Sequence, residues 1–306
     1  MSPPVAAAND AAQTCFFGRV GAALAGWLTR LPQPLTLRFG RLLALLVRPL
    51  LRRRWQVARV NLTLCFADES EAQREARLRA HQEALPIAVL ELLRAWFAPR
   101  SALAGLAEVE GLHHLQEAEA RGQGVLLMTG HLMHTELAVR FLGEANGRLI
   151  PGVVRRYDRH PCLERTLDAA RCARVGPTVS KFDTRGMIRT LREGLPLVNS
   201  ADQDFRTQQV FVPFFGVPAA TLSTLPQLVK AGRACVRFFA MVREPNGRYR
   251  VRVWDPGLDA LVDDAEAFAA RYMFELEAAV RAAPEQYLWV HRRFKTRPNG
   301  APSPYG

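Results

Sequence analysis

The chain has 306 residues, 49% of them hydrophobic, which is enough for one large α/β domain or two small ones around a real core. Its net charge of +12 is almost wholly arginine, since lysine occurs only at Lys181, Lys230 and Lys295, and a surplus of this size suits nucleic acid, an anionic membrane surface or an acidic protein. Five scattered cysteines (Cys15, Cys65, Cys162, Cys172, Cys235) form no CxxC pair, which argues against a disulfide framework or a zinc site and for a reducing, cytosol-facing environment.

The first 60 residues carry Arg19, Arg30, Arg38, Arg41, Arg48, Arg52, Arg53, Arg54 and Arg59 against the single acid Asp10. Leucine, valine, phenylalanine and tryptophan lie between these charges, unlike the polar spacing of a nucleic-acid arm, so a lipid surface is favoured and nucleic acid is not. No uncharged apolar run approaches the roughly 20 residues of a spanning helix, and no basic n-region announces a signal peptide. Phe16, Phe17, Val20, Leu24, Trp27 and Leu28 have helical spacing. Between Leu35 and Arg52 the arginines at 38, 41, 48 and 52 fall within one arc of a helix and leucines fill the remainder. This predicts an amphipathic helix in the membrane interface, kinked near Pro49, the alternative being an ordinary domain helix with its apolar face packed inward.

Past residue 70 strands and helices alternate. Glu69 to Phe97 reads as a helix, Val125 to Thr129 as a buried strand and Thr135 to Leu142 as a helix. Leu149 to Val154 is a strand, Cys162 to Ala173 and Thr184 to Arg192 are helices, and Leu195 to Asn199 is a strand. Leu222 to Ala231 is helical, Ala234 to Arg243 and Arg248 to Trp254 flank the turn Pro245-Asn246-Gly247 as a hairpin, and a long helix follows from Asp263 to Ala282. The expected fold is α/β, a mixed, mostly parallel sheet flanked by helices with one late antiparallel pair. Residues 1–65 form an amino-terminal membrane-association segment and 66–306 the α/β domain.

The chemistry concentrates where the strand GVLLMTG ends and HLMHTE begins. Sites in open α/β sheets form where strands end and helices start. Three readings fit: a capped turn, a metal site using His131 and His134, and an acid/base site. A metal needs a third ligand that no spacing supplies. His131 in the turn and Glu136 in the helix can meet, the carboxylate accepting from Nδ1–H and leaving Nε2 to take a proton from a hydroxyl. No Ser or Cys stands beside His131, which favours direct transfer over a covalent intermediate.

Gly130-His131-x4-Glu136 resembles the His-x4-Asp/Glu box of glycerolipid-type acyltransferases. RRRWQVARVNLTLCF at 52–66, DQDFRTQQVFVPFFGVPAAT at 202–221 and PEQYLWVHRRFKTRPNGAPSPY near the carboxyl end are, in order and spacing, similar to the lipid A late (secondary) acyltransferases, the lauroyl/myristoyl acyltransferase family. The resemblance implies a glycerolipid-acyltransferase-like fold on the cytoplasmic face of the inner membrane. The implied reaction moves an acyl chain from acyl carrier protein to the 3-hydroxyl of an acyl chain on a Kdo-bearing lipid A precursor, an anionic glycolipid, without metal or cofactor. His131 would be the base and Glu136 its orienting carboxylate. Arg155, with Arg156 as the neighbouring register, would hold phosphate or stabilise the oxyanion, and Asp202 and Asp204 would shape the site. In the basic run His291, Arg292, Arg293, Lys295 and Arg297, Arg292 and Arg293 are the candidate contacts to an anionic substrate. The plainer alternatives are a turn cap for the aspartates, a surface ion pair for Arg155 and a solvated basic tail. The rival functions are acyl transfer to another acceptor, such as a lysophospholipid, an ornithine lipid or another glycolipid, and a non-catalytic lipid-binding protein on the membrane surface.

Overall fold

The structure, a computed structural model, describes residues 16–154, 161–205 and 207–306. Four helices lead: α1 (Phe16–Leu28), α2 (Gln33–Leu50), α3 (Arg52–Cys65) and α4 (Glu71–Phe97). Then come β1 (Ala107–Glu110), α5 (His113–Ala120), β2 (Val125–Thr129), α6 (Thr135–Asn146), β3 (Gly152–Val154), α7 (Pro161–Arg174), β4 (Thr178–Ser180), α8 (Thr184–Arg192) and β5 (Pro196–Ser200). A hairpin of β6 (Gln209–Phe214) and β7 (Val217–Leu222), α9 (Leu225–Gly232), β8 (Cys235–Arg243), β9 (Tyr249–Trp254) and α10 (Ala265–Ala282) complete the chain.

Seven strands form one sheet in the order β1-β9-β8-β2-β5-β3-β4. Only β8 and β9 run antiparallel, and every other neighbouring pair is parallel. This is the mostly parallel α/β fold expected from the alternation. β2 is central and fully buried. Its side chains alternate between the two faces, Leu126 and Met128 entering one core and Val125 and Leu127 the other, as the two-residue strand period requires.

Five elements escape the sequence pattern. β1 reads AEVE and is only half-buried at the sheet edge, β4 has three residues, and α5 lies between turns without a long apolar stripe. The β6–β7 hairpin is closed by Phe215 (φ 52) and Gly216 (φ 73), and a phenylalanine at positive φ hides the turn. That conformation is held because the Phe215 ring packs on Phe66 at 5.0 Å and Glu277 Oε2 accepts the Phe215 amide at 2.6 Å.

α2 is inverted relative to an ordinary domain helix. Gln33, Thr36, Gly40 and Ala44 face inward, whereas Leu35, Leu42, Leu45, Leu46 and Leu50 are exposed. A Cβ on Gly40 would stand 2.5 Å from Ile87 Cγ1, so the glycine lets α2 and α4 touch. A buried polar network locks this contact. Gln33 Nε2 donates to Tyr249 Oη at 2.8 Å and to Gly247 O at 2.9 Å, Tyr249 Oη donates to Glu91 at 2.8 Å, and Arg243 pairs with Glu91 at 2.7 Å. α2 runs through Pro49 and the chain turns at Leu51, where the Trp55 indole donates to Arg48 O at 2.8 Å. In α3, Ala58, Leu62 and Cys65 enter the same core as β2 and α10, so the stretch from 52 packs as part of the α/β unit. Among the described residues no helix is long and apolar enough to cross a membrane.

Candidate active site

β2 and β5 are parallel neighbours with Thr129 opposite Ser200. His131 and Asp202 each lie two residues beyond that pair, so register alone brings them together at the carboxyl edge of the sheet. His131 Nδ1 meets Asp202 Oδ1 at 2.6 Å, and the His131 amide donates to the same carboxylate at 3.0 and 3.1 Å. Tyr287 Oη donates to Asp202 Oδ2 at 2.8 Å. Asp202 is 1% exposed, whereas the His131 ring is 34% exposed.

Burial by itself would raise the pKa of Asp202, but the His131 ring and the donated hydrogen bonds outweigh it and hold the carboxyl well below the usual carboxylate range. Removal of His131 from water would likewise lower its pKa, yet the charge and hydrogen bond of Asp202 prevail and raise it, with buried Arg293 opposing. An ionised Asp202 fixes the proton on Nδ1. Nε2, with no hydrogen-bond partner among the described residues, is then the free basic nitrogen.

Gly130 has a steric rather than a conformational task. A Cβ there would stand 2.3 Å from Leu276 Cδ1, so glycine lets α10 close against the end of β2. The 130–134 loop is zipped to the carboxyl-terminal segment: Met133 N donates to Gln286 O at 2.9 Å and Leu288 N to His131 O at 3.1 Å. His134 is buried and meets Gln286 Oε1 at 2.6 Å, with burial lowering its pKa, so it serves this seam.

Several expected assignments change. Among the described residues Glu136 makes no hydrogen bond to His131. Its Oε2 accepts from Arg171 Nε at 2.8 Å and Trp96 Nε1 at 3.0 Å, and its Oε1 from Arg171 Nη2 at 3.1 Å. Glu136 lies one residue inside α6 and turns toward α4 and α7, leaving the carboxylate two residues past β5 to reach the histidine. Arg293, expected at an anionic substrate, is 2% exposed and donates to Ala220 O at 2.6 Å and Thr221 Oγ1 at 2.8 Å. Asp204 accepts from the Thr296 amide and hydroxyl, both at 2.9 Å, and so ties the end of β5 to the carboxyl-terminal segment. Burial lowers the pKa of His291 to about 4, and this neutral ring accepts the Asp204 amide at 3.2 Å. Within the basic run Arg292 and Lys295 are exposed. Arg155 and Arg156 lie outside the described residues. Pairwise spacing signalled neither Tyr287 nor Arg171.

The three sequence stretches that carried the resemblance converge here. Asn61 of the first donates to Trp289 O at 2.6 Å and His291 O at 2.7 Å in the third, and Asp202 and Asp204 of the second are bound by Tyr287 and Thr296 of the third. The profile of the family described as "Bacterial lipid A biosynthesis acyltransferase" matches residues 12–296. The chain belongs to this family. It is 34% identical over 284 residues to the lipid A biosynthesis lauroyltransferase of Escherichia coli K12, covering 91% of this chain and 92% of that protein. It is 34% identical over 286 residues to the lipid A biosynthesis palmitoleoyltransferase of the same organism, with 91% of each covered. The E. coli lipid A biosynthesis myristoyltransferase is 26% identical over 290 residues, covering 93% of this chain and 88% of that protein. Membership in the lipid A acyltransferase family makes the chain an acyltransferase.

Proposed function

We propose that the chain moves a fatty acyl group from acyl carrier protein to the 3-hydroxyl of an acyl chain on a Kdo-bearing lipid A precursor, with His131 as general base and Asp202 as its orienting carboxylate. The observation that carries this reading is the Asp202–His131 Nδ1 bond, which leaves Nε2 unpartnered on a ring one-third exposed. Nε2 takes the hydroxyl proton as the oxygen attacks the thioester carbonyl. The carbon–sulfur bond then breaks, and the imidazolium returns the proton to the departing thiolate, so donor thiol and acyl ester form with atoms balanced. The amino terminus of α6, at Thr135, brings partial positive charge beside the developing oxyanion.

Glu136 has a positioning role in this reading: paired with Arg171, it ties α6 to α7 along one wall. Arg292 and Lys295, both exposed, give the acidic carrier protein a docking face. The outward leucines of α2 support peripheral association with the inner-membrane surface, where both lipid substrate and product reside.

The test is mass spectrometry of a Kdo-linked tetraacyl precursor incubated with purified protein and a panel of acyl-carrier-protein thioesters. One acyl chain should be gained, with His131→Ala and Asp202→Asn each slowing transfer by about 10²- to 10⁴-fold. Undiminished transfer by His131→Ala would refute the base assignment. A gain only on lysophospholipid or ornithine lipid would change the acceptor.

A further inference from the structure

Away from His131, the described surface has a trough where α2, α3 and α4 meet. A groove of about 540 Å³ is lined by Arg38, Arg41, Arg48 and Arg79, with Leu42 and Leu45 on its apolar side. Glu83 is the one acid on its wall. A second groove of about 480 Å³ shares Arg48 and Gln82 with the first and adds Arg52 and Arg59. Among the described residues, none of Arg38, Arg41, Arg48 and Arg79 is paired with a carboxylate, whereas Arg59 is engaged by Glu75 at 2.6 Å. Gln82, buried to 7% exposure, lines both grooves and leaves its Oε1 without a hydrogen-bond donor.

Unpaired guanidinium groups suit a phosphodiester, which they can hold with parallel N–H···O bonds. The leucines on the same helix identify which phosphodiester. Leu42 is 62% exposed, Leu45 70% and Leu46 67%, a row that water solvates poorly and acyl chains accept. An acidic protein would complement the arginines but leave that row bare, and a second copy of the chain would bring arginine against arginine. We infer that this trough is a binding site for the headgroup of an anionic glycerophospholipid of the host bilayer, its phosphate among Arg38, Arg41, Arg48 and Arg79 and its acyl chains along Leu42, Leu45 and Leu46. The inference rests on the membrane-surface part of the proposed function and is independent of which acceptor is acylated. It makes the bilayer lipid a ligand of the enzyme at a place separate from the His131 site, so anionic lipid content sets how much enzyme is docked.

Flotation of the full chain with vesicles of phosphatidylcholine alone, or of phosphatidylcholine mixed with phosphatidylglycerol, tests this. Wild type should float preferentially with the anionic vesicles. Arg41→Gln/Arg48→Gln should lose on the order of 10- to 30-fold in affinity for them, from the loss of two charges at an anionic surface. Arg185→Gln/Arg233→Gln removes the same net charge from exposed positions elsewhere and should change affinity far less. Leu45→Gln/Leu46→Gln should weaken binding to both kinds of vesicle. Equal loss in the two arginine pairs would overturn the trough and leave only diffuse attraction. Unchanged flotation of Arg41→Gln/Arg48→Gln, with a raised KM for acyl carrier protein on detergent-dispersed acceptor, would reassign the trough to the acidic protein. Failure of wild type to float on either vesicle would remove the membrane-surface reading itself while leaving the acyl-transfer assay untouched.

Discussion

Asp202 receives the His131 ring from one loop and the Tyr287 hydroxyl from another, and its contact with the ring biases Asp202 and His131 toward charge. A raised histidine pKa means that His131, the proposed base, is neutral only above a pH higher than the ordinary imidazole value of about 6.5. Transfer should therefore fall as pH drops through that raised value, and Asp202→Asn should move the acid limb of the kcat/KM profile to lower pH while slowing the plateau. Glu136→Gln should leave the limb in place, because Glu136 touches Arg171 and Trp96 and not the imidazole. A limb that shifts with Glu136→Gln but not with Asp202→Asn would reverse the two roles. The linkage to stability has a defined sign. The contribution of His131 is full below its unfolded pKa and is lost as pH rises through its folded value; that of Asp202 is present above its unfolded pKa and is lost as pH falls toward its depressed one. In the proposed mechanism the active, neutral-histidine form thus gives up part of the ion pair that steadies the site.

Two helix contacts set the framework around that pair. α10 reaches β2 because position 130 has no Cβ, and Gly130→Ala should cost about 1–3 kcal/mol by overpacking against Leu276. Denaturant melts of Gly130→Ala with and without Leu276→Ala should show coupling, the alanine at 130 being less harmful where Leu276 is already shortened. Additive losses would mean that the strain is relieved elsewhere. α2 is held by Glu91, which is fully buried and accepts from Arg243 and Tyr249. Glu91→Gln leaves the mostly buried Arg243 without its counter-charge, and a loss of about 3 kcal/mol in unfolding free energy is expected. Because Gln33 of α2 donates to Tyr249 in the same network, α2 should become the more protease-sensitive helix in that variant. The sequence marked α2 as a helix and favoured leucines turned to the membrane interface over leucines packed inward; in the structure Leu42, Leu45 and Leu46 are exposed. Leucines with helical spacing look the same whether they face a core or a bilayer, and the choice is made by Gly40 against Ile87 and by the buried polar residues beneath.

For the whole molecule, the proposed function and the inferred trough give the surplus of +12 two anionic partners at different places. Arg292 and Lys295 lie near the carboxyl-terminal segment that is zipped to the His131 loop, while the arginine trough lies on α2, α3 and α4. Added salt shortens the screening length to about 8 Å at physiological strength and further beyond it, so the KM for acyl carrier protein should rise with salt more than kcat falls. Steady-state kinetics in detergent across a salt series checks this, and a KM indifferent to salt would rule out electrostatic docking of the carrier.

Local physics made much of this legible in the chain itself. The run Val125–Thr129, its stop at Gly130 and the helix from Thr135 are written in the hydrophobic period and turn chemistry, and they placed His131 at a sheet edge. The Pro245-Asn246-Gly247 turn likewise announced the β8–β9 hairpin. Which carboxylate serves the histidine was decided only in three dimensions. Glu136 is near in sequence but is turned away on the helix, whereas Asp202, 71 residues from His131, arrives through the pairing of Thr129 with Ser200. The same holds for Arg293, drawn inside by carbonyl and hydroxyl partners on β7, and for the outward leucines of α2. Sequence period fixes which residues share a face; only the packing of one element on another fixes what that face meets.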